Sequence, residues 1–479
     1  MLNKKDNIAV KNIEFACVEQ LVPKNHILRD IEKSIDFTFV YDLVKDLYSE
    51  ENGRPSIDPV VLIKMELIQY LFGIPSMRKT AEEIKVNLAY RWFLGYGLTE
   101  ETPHFSVVSK NYSRRFKDTD IFEKIFERIL EEAIECGFVN MESIFIDGTH
   151  IKANANKKKV EIEYIQKEAR NYEEQLRKEI NIDRLSHGKK ELKENNKQEI
   201  VKRYKSTIDE DCGMFHKGEH ERCLAYSANT ACDKNGFVLG TNVTAGNVHD
   251  SQSFEGIYDK VTQKYENIKN IVIDAGYKTP AICKKVIDDN KNPVTPYKRP
   301  MTKQGFFKKY DYVYDEYYDC IICPNNKILR YVTTNRDGYR EYVSNPNECK
   351  NCPFKNQCTN NKDNIKQVQR HIWEKYIEQA EDIRHTEGMK AVYDKRKETI
   401  ERVFADAKEK HGMRYTRYRG LKRVTNQIMM IFACMNLKKI AKWKRKNGYF
   451  PPVLHNIYQK LIIFLRFGSM WASTPTIFA

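Results

Sequence analysis

Residues 143–156 read SIFIDGTHIKANAN, and the first half of this stretch has the pattern of a buried strand followed by a carboxylate. Three apolar residues, Ile144 to Ile146, run directly into Asp147. Apolar runs of this length are typical of buried strands, so we expect Asp147 to end the strand at the border of the core. Asp before Gly is also a common turn sequence, and Asp147 alone therefore predicts no chemistry.

The stretch IVIDAGY, Ile271 to Tyr277, repeats the pattern and places Asp274 after three apolar residues. Two strands that end in Asp within one α/β domain can hold both carboxylates at one sheet edge. Carboxylates that close together repel each other unless a cation lies between them. We therefore expect a hard divalent cation, Mg²⁺ or Mn²⁺, bound by oxygen ligands. Two ordinary turns are the alternative.

A third carboxylate is predicted in AVYDKRKETIERVFADAKEKHGMRYTRYRG, Ala391 to Gly420. Glu401 and Lys408 are seven residues apart, so they lie on one helix face two turns from each other. A carboxylate flanked by cations can bind a metal while its neighbours hold phosphates. An exposed charged helix supported by i,i+4 pairs is the alternative interpretation.

The composition favours a polyanionic partner, and nucleic acid is the leading candidate. The 479 residues include 81 Lys and Arg against 66 Asp and Glu, which gives a formal net charge of +15. The hydrophobic share of 41% and the charged share of 31% are typical of a globular protein rather than a disordered or membrane one. The length predicts two to four domains.

The N-terminal stretch MLNKKDNIAVKNIEF has no apolar core of the kind that a secretory signal needs, so we expect a cytoplasmic protein. In a reducing compartment the 12 cysteines are expected to be core residues or metal ligands. The apolar stretch from Leu461 to Trp471 is interrupted by Arg466 and is too short to span a bilayer.

Residues 26–140 are predicted to be helical, with short helices that carry basic residues near their ends. Proline at a helix entry and apolar positions at helical spacing indicate the first of these in residues 53–74. Two more follow in Ser76 to Gly97. This arrangement is typical of a helix-turn-helix DNA reader. The candidate DNA contacts are Arg78, Lys79 and Arg91.

The middle of the chain changes character twice. Residues 157–205 are densely charged, and sparse apolar residues at helical spacing predict a long exposed helix or helical hairpin. From Glu221 to Asp289 the pattern predicts a strand hairpin joined by Asp-Lys-Asn-Gly, then helix, strand and helix. The expected result is a mixed α/β sheet.

A cysteine cluster follows this sheet, and two C-x-x-C pairs separated by 25 residues predict a tetrahedral Zn²⁺ site. Cys323, Cys349, Cys352 and Cys358 form one possible ligand set. Cys320 in place of Cys358 forms the other. An iron-sulfur cluster and unligated buried thiols are the alternatives.

Together, SIFIDGTHIKAN, IVIDAGY and the series Tyr393, Arg396, Glu401 and Lys408 resemble the DDE transposases of bacterial insertion sequences, specifically the group with a Y…R…E…K signature. The stretches RPSIDPVVLIKM and LAYRWFLGYGLTEETPHFSVVSK resemble the N-terminal helical domain of that group. The resemblance covers most of residues 20–440, and four motifs in the right order rarely arise by chance.

The resemblance implies a multidomain protein, in which an N-terminal all-α DNA-binding region precedes an α/β RNase H-like catalytic core with a helical insertion and a cysteine-rich zinc-binding insertion. Asp147 would lie on the first strand of that core, Asp274 on the fourth and Glu401 on a late helix. The expected boundaries are 1–140 for the helical domain, 141–300 for the first part of the core with the charged insertion at about 157–210, 301–370 for the cysteine-rich insertion, 371–445 for the second part of the core and 446–479 for a tail.

The same resemblance assigns roles to the remaining signature residues. Tyr393, Arg396 and Lys408 would position phosphates and hold strands. The sequence has four residues between Arg396 and Glu401 where the signature has three, so Glu398 is the alternative third carboxylate.

The expected function is a DNA transposase that binds the terminal inverted repeats of its element, cleaves the 3′ ends and joins them to target DNA. Three carboxylates would hold two divalent ions about 3.5 to 4 Å apart, which activate the attacking oxygen and stabilise the leaving one. Double-stranded DNA is the expected partner, and synapsis of two ends implies a homodimer. The alternatives are an inactive zinc-containing DNA-binding regulator or relic, and a related metal-dependent nuclease.

Overall fold

The computed structural model describes residue 13 and residues 15–49, 56–166, 172–193, 200–217 and 221–449. The chain forms two compact units, one built from Met1–Asn140 and Val403–Ala479 and the other from Met141–Arg402. The first unit is therefore discontinuous in sequence. The predicted second part of the core, 371–445, is divided between the units, and residues 450–479 of the predicted tail lie outside the described ranges.

Helices make up the described part of the first unit, as predicted for residues 26–140. They are α1 (Val18–Leu21), α2 (Ile27–Ser34), α3 (Phe39–Val44), α4 (Pro59–Leu71), α5 (Met77–Val86), α6 (Leu88–Leu94), α7 (Phe105–Asn111) and α8 (Ile121–Glu135). The last helix within the described ranges, which spans Leu421–Lys446, packs against α8, α2 and α4. The C-terminal helix thus supplies part of the core of the N-terminal unit.

Local sequence signals set the ends of these helices. The Asp58 side chain accepts a hydrogen bond from the main-chain N–H of Val60 at the start of α4, and Pro59 occupies the first helical position. Ser76 caps α5 by accepting from the main-chain N–H of Lys79 at 3.2 Å. Gly95 ends α6 with a φ of 81°, a left-handed conformation that favours glycine.

The second unit contains all thirteen strands of the described chain. They are β1 (Ser143–Lys152), β2 (Val160–Gln166), β3 (Ile200–Ser206), β4 (Gly213–Lys217), β5 (Glu221–Asp233), β6 (Val238–Ala245), β7 (Asn270–Val272), β8 (Asn292–Val294), β9 (Val313–Asp315), β10 (Cys320–Ile322), β11 (Ile328–Thr334), β12 (Tyr339–Val343) and β13 (Gln367–His371). The remaining helices are α9 (Glu173–Ser186), α10 (Asp250–Thr262), α11 (Pro280–Asp288), α12 (Pro346–Lys350), α13 (Lys355–Cys358), α14 (Glu374–His385), α15 (Met389–Asp394), α16 (Ile400–Lys410), which continues past residue 402, and the C-terminal α17 (Leu421–Lys446).

A six-stranded mixed sheet is the centre of the second unit. Its order is β4-β5-β1-β7-β8, and β6 also pairs with β5. β1 is antiparallel to β5 and parallel to β7, and β7 is parallel to β8. The predicted order of hairpin, helix, strand and helix is confirmed by β5, β6, α10, β7 and α11. The short edge strand β4 was not predicted, and it makes β7 the fifth strand of this sheet along the chain rather than the fourth.

The prediction that Asp147 ends its strand is wrong. β1 continues to Lys152 because it pairs with β5 along Ile144 to Lys152. Its parallel pairing with β7 covers only Ser143 to Phe145. Asp147 therefore lies within β1, just beyond the point where the strand loses its parallel neighbour.

The charged insertion is partly strand, so the prediction of a long helix or helical hairpin is wrong. β2 and β3 form a two-stranded antiparallel ribbon, and α9 lies between them in sequence. The β2 sequence VEIEYIQ alternates apolar and polar residues with a period of two, which favours a strand. The density of charge obscured this alternation.

The cysteine-rich segment forms a second sheet of five strands, with the order β13-β12-β11-β10-β9. Its neighbouring strands are antiparallel throughout. Tyr312, Ile321, Leu329 and Tyr342 form its buried cluster. Partly buried residues pack against this cluster, including Cys323 and Cys358.

The described helices include none with the length and apolar character that a bilayer-spanning segment requires.

Gly73 is the position where the returning chain approaches α4 most tightly. Its φ is +64°, and a Cβ added there would lie 2.7 Å from the main-chain oxygen of Lys410. Gly95 has a φ of +81° and has no atom within 4 Å of such a Cβ. An alanine at Gly95 would therefore meet backbone strain alone, whereas an alanine at Gly73 would meet both backbone strain and a steric clash.

We predict that Gly95→Ala lowers the free energy of unfolding by about 1–2 kcal/mol, because alanine is strained in this conformation. Gly73→Ala should lower it by about 1–3 kcal/mol more, because Lys410 must also shift. Urea unfolding followed by circular dichroism measures both changes. Equal losses in the two variants would contradict the close approach of residue 410.

Candidate active site

The two predicted aspartates follow paired positions of neighbouring parallel strands. Phe145 of β1 pairs with Val272 of β7, and each aspartate lies two residues further along its strand direction. Main-chain pairing beyond β7 continues for one residue, because Ile273 donates its N–H to Val294 at 3.1 Å. Neighbouring strands lie about 4.8 Å apart. The structure therefore brings Asp147 and Asp274 to the same region of the sheet.

Asp274 also stabilises the turn that follows it. Its Oδ1 accepts hydrogen bonds from the main-chain N–H groups of Gly276 at 2.8 Å and Tyr277 at 3.3 Å. This is the turn interaction that the sequence offered as an alternative. The turn orders the carboxylate, so a structural role and a ligand role are compatible at this position.

Arg396 binds directly to Asp147. The Arg396 Nη2 donates to Oδ2 of Asp147 at 2.6 Å, and its Nη1 donates to the main-chain oxygen of Ile146 at 3.3 Å. Arg396 is buried, with only 4% of its surface exposed, while the Asp147 side chain is 20% exposed. A buried guanidinium needs such a partner, because an unpaired buried charge is strongly destabilising.

The Tyr393 hydroxyl lies within the electrostatic reach of all three predicted carboxylates. Burial is the main cause that raises the pKa of the Tyr393 hydroxyl, and Arg396 opposes this rise. Asp274, Glu401 and Asp147 each raise the pKa further by their negative charge. The Arg396 guanidinium also lies 5.9 Å from the centre of the Tyr393 ring. The signature tyrosine and arginine thus lie among the three acids.

Glu401 lies in the first turn of α16 and is exposed. Glu398, the alternative carboxylate, is exposed and precedes the helix at the end of a 3-10 turn, Lys395–Lys397. Lys408 lies two turns after Glu401 on the same helix, in the part that belongs to the first unit.

No formed metal site is visible in the described part of the chain. None of its groups of three or more His, Cys, Asp or Glu side chains is arranged so that it could hold a metal ion. The carboxylate oxygens of Asp147, Asp274 and Glu401 match the ligand preference of Mg²⁺ and Mn²⁺ in kind. Their arrangement is not a completed ligand set, because Asp147 is bound by Arg396.

The cysteine contacts favour one of the two predicted zinc ligand sets. Burial raises the pKa of the Cys358 thiol, Tyr312 and Lys366 lower it, and the nearby thiols of Cys349 and Cys323 raise it. Tyr312 Oη lies 3.2 Å from Cys358 Sγ. These three cysteines are therefore neighbours.

Cys320 has different surroundings. It is buried in β10, and after burial the carboxylates of Asp315 and Asp319 contribute most to its raised pKa. Cys352 follows Cys349 in a turn, where its main-chain N–H donates to the Cys349 oxygen at 3.3 Å. The set with Cys358 therefore fits the structure better than the set with Cys320.

The three predicted DNA contacts in the helical unit have different environments. Arg78 is exposed, and its guanidinium lies 4.6 Å from the centre of the Phe105 ring. Lys79 is exposed and lies 3.8 Å from Glu82. Both remain accessible to a phosphate.

Arg91 must be withdrawn from this set. It is buried, with 5% of its surface exposed, and it donates to the main-chain oxygens of Gly97 and Glu100. A third hydrogen bond joins it to the Lys85 oxygen at 3.4 Å. Arg91 holds the loop after α6, and a charged residue on a short helix gave no sign of this in the sequence.

Lys278 is a buried cation near Asp274 in sequence, and the sequence patterns did not predict its burial. Its side chain is buried, with 3% exposed, and forms an ion pair with Glu381 of α14. Its Nζ also donates to the main-chain oxygen of Pro296 at 3.4 Å. Lys278 follows Asp274 by four residues and joins the turn after β7 to the segment after β8. The only signal was a lysine directly after IVIDAGY.

Two parts of the chain match known protein families. Residues 322–441 match a family described as "Transposase DDE domain", and residues 16–114 match one described as "Transposase domain (DUF772)". The predicted resemblance to DDE transposases of insertion sequences with an N-terminal domain is confirmed by these two matches. They support a DNA transposase.

The two family matches cover only part of the predicted active site. The DDE domain match includes Tyr393, Arg396, Glu401 and Lys408 but neither Asp147 nor Asp274. Comparison with curated proteins and with solved structures found no match.

We predict that Arg91→Met lowers the free energy of unfolding by about 2–3 kcal/mol, because several hydrogen bonds from a charged donor are lost at once. The matched variant Arg78→Met should change it by less than about 1 kcal/mol. Urea unfolding measures both. The affinity for DNA of the folded protein should fall in Arg78→Met only, and a larger loss of affinity in Arg91→Met would contradict the structural role of Arg91.

We also predict that Cys349→Ser loses bound zinc, because a structural site needs four ligands, whereas Cys320→Ser keeps it. Elemental analysis of the purified proteins by mass spectrometry gives the zinc content per chain. Zinc retained in Cys349→Ser, lost in Cys320→Ser, or absent from the unmodified protein would contradict this ligand set.

Proposed function

We propose that this protein is a transposase that binds the terminal inverted repeats of its insertion sequence and catalyses metal-dependent 3′-end cleavage and strand transfer. One observation carries the proposal. The buried Arg396 donates to the Asp147 carboxylate, and the parallel strands β1 and β7 lead to Asp147 and Asp274 in the same region of the sheet. These residues are far apart in sequence, and their agreement with the transposase signature supports the proposal.

The central sheet supports an RNase H-like core for this enzyme. The strand that carries Asp147 is the first of the sheet, and its parallel neighbour leads directly to Asp274. The helix that begins with Glu401 follows late in the chain. This is the order of acids that the family resemblance predicts, apart from the additional edge strand.

In this proposal Asp147, Asp274 and Glu401 hold Mg²⁺ or Mn²⁺. When bound, such ions would supply activation of the attacking oxygen of water or of a DNA 3′-hydroxyl and stabilisation of the leaving oxygen. Arg396 orients Asp147 and contributes positive charge next to the scissile phosphate. Tyr393 and Lys408 position the phosphates of the strand.

The charge and the family domains support double-stranded DNA as the partner. The net charge of +15 favours a phosphate backbone, and Arg78 and Lys79 are accessible for contacts in the helical unit. Pairing of two element ends requires two active sites, so the proposed form on DNA is a homodimer. The proposed location is the cytoplasm, with structural Zn²⁺ bound by the cysteine-rich sheet.

The test is an assay for 3′-end nicking of DNA that carries the sequence flanking the gene, with added Mg²⁺ or Mn²⁺. Loss of even an outer-shell partner of a metal ligand costs about 10–100-fold. Asp147→Asn, which can still accept a hydrogen bond from Arg396, should therefore lower the nicking rate by more than about 100-fold. Binding measured without metal should stay within a few-fold of the unmodified protein.

Asp363→Ala is the matched control, because Asp363 is an exposed aspartate of the same unit. It should nick at the unmodified rate. Nicking by Asp147→Asn at the control rate would refute the catalytic assignment. Specific binding without any cleavage by the unmodified protein would instead favour a DNA-binding regulator or relic, and cleavage without strand transfer would favour a nuclease.

A further inference from the structure

An exposed basic segment follows β8 and has no place in the site described so far. Residues 297–310 read YKRPMTKQGFFKKY, and we name them the basic strip. The strip contains five Lys or Arg residues and no Asp or Glu. All five cations are exposed, namely Lys298, Arg299, Lys303, Lys308 and Lys309.

Most of this charge is not neutralised by the protein itself. Lys309 forms an ion pair with Glu374 at 2.5 Å. Within the described ranges, Lys298, Arg299 and Lys303 form no ion pair. Arg299 is also close enough to Lys308 to oppose the rise in the pKa of Lys308 that its hydrogen bond to Tyr310 causes. Like charges so close together favour an anion as their common partner.

The strip also exposes large apolar and aromatic side chains. Tyr297 is 56% exposed, Tyr310 is 60% exposed and Met301 is completely exposed. Basic residues alternating with exposed aromatic rings suit the sugar–phosphate backbone of DNA, since lysines and arginines bind phosphates and aromatic rings pack against sugars and bases.

Sheet topology places the start of the strip beside Asp274. β7 and β8 are parallel, and Val272 pairs with Val294. Asp274 and Pro296 each lie two residues beyond this pair, on strands about 4.8 Å apart. The strip therefore leaves the sheet at the edge where the candidate active site lies.

Both ends of the strip are held by the second unit. Lys278, buried beside the candidate site, donates to the Pro296 oxygen at 3.4 Å. At the other end Phe307 donates its main-chain N–H to Gln357 at 2.8 Å, and its ring packs edge-on against Phe354. Lys298, Arg299 and Lys303 lie between these two anchors, which tie the strip to the unit that carries the acids.

We propose that the basic strip binds the sugar–phosphate backbone of duplex DNA immediately beside the bond that is cleaved. This inference rests on the proposed function for the identity of the DNA and of the cleaved bond. The strip makes no base-specific contact in this role, so it fixes the register of the duplex and does not read sequence.

The first test is a variant that removes three charges, Lys298→Gln/Arg299→Gln/Lys303→Gln. Its control, Lys189→Gln/Lys190→Gln/Lys193→Gln, removes three exposed lysines elsewhere in the same unit. Fluorescence anisotropy with a labelled duplex of the flanking sequence, in chelator and at several salt concentrations, measures affinity for full-length protein.

The strip variant should bind on the order of tenfold more weakly, and its plot of log affinity against log salt should lose about 0.9 in slope for each phosphate contact removed. The affinity of the strip variant for a duplex of scrambled sequence should fall by the same factor, because backbone contacts are independent of sequence. The control should keep the slope of the unmodified protein. Equal slopes for both triple variants would overturn the proposal.

A second test uses photocrosslinking and leaves the charges of the strip unchanged. The photoreactive residue p-benzoyl-phenylalanine in place of Met301 should crosslink to DNA within a few base pairs of the nick, and the same residue in place of Lys190 should not. Crosslinks from position 301 that are absent or scattered along the duplex would overturn the location of the strip.

The strip and the proposed function can fail separately. If the unmodified protein nicks DNA but the two triple variants bind alike, the strip proposal fails and the catalytic proposal stands. If no DNA is nicked, but only the strip variant shows a smaller slope of log affinity against log salt, the catalytic proposal fails and the strip remains a DNA-binding surface.

Discussion

The unequal pairing of β1 is the constraint on which the second unit depends. On one side β1 pairs with β5 as far as Lys152, and on the other it pairs with β7 only as far as Phe145. Pairing with β5 holds the full length of β1 after Ser143, whereas β7 leaves the edge of β1 unpaired after Phe145. Asp147 lies in this open part, so it has an ordered backbone and a side chain that other segments can reach. Arg396, which is distant in sequence, donates a hydrogen bond to the Asp147 side chain at this position.

The ion pair between Arg396 and Asp147 gives the candidate site its internal balance of charge. Three carboxylates near one tyrosine would repel each other, and a buried guanidinium among them reduces that repulsion. A divalent ion bound by Asp147 would have to share or replace this ion pair. Arginine suits such a position because its planar group can keep one hydrogen bond while another partner changes.

The sequence predicted where the strands of the candidate site begin better than where they end. Short apolar runs before Asp147 and Asp274 identified two strands, because burial on both faces leaves a strong local signal. The local sequence could not show that β1 continues past Asp147, because this extension is stabilised by pairing with β5, which is about eighty residues away in sequence. The burial of Lys278 was invisible for the same reason, since its partner Glu381 is distant in sequence. Arg91 binds main-chain oxygens of nearby residues, which no side-chain pattern marks. The ribbon of β2 and β3 was missed because dense charge outweighed a period-two pattern.

The discontinuity of the helical unit has a consequence for synthesis on the ribosome. α17 packs against α2, α4 and α8, yet some 280 residues separate α8 from α17. During translation the N-terminal helices emerge first but lack this packing partner until the whole second unit has been made. A gene copy truncated before α17 would thus lose more than its last helix, because it would leave the apolar faces of the earliest helices uncovered. Damage at the end of the gene would thus disable the unit encoded at its beginning.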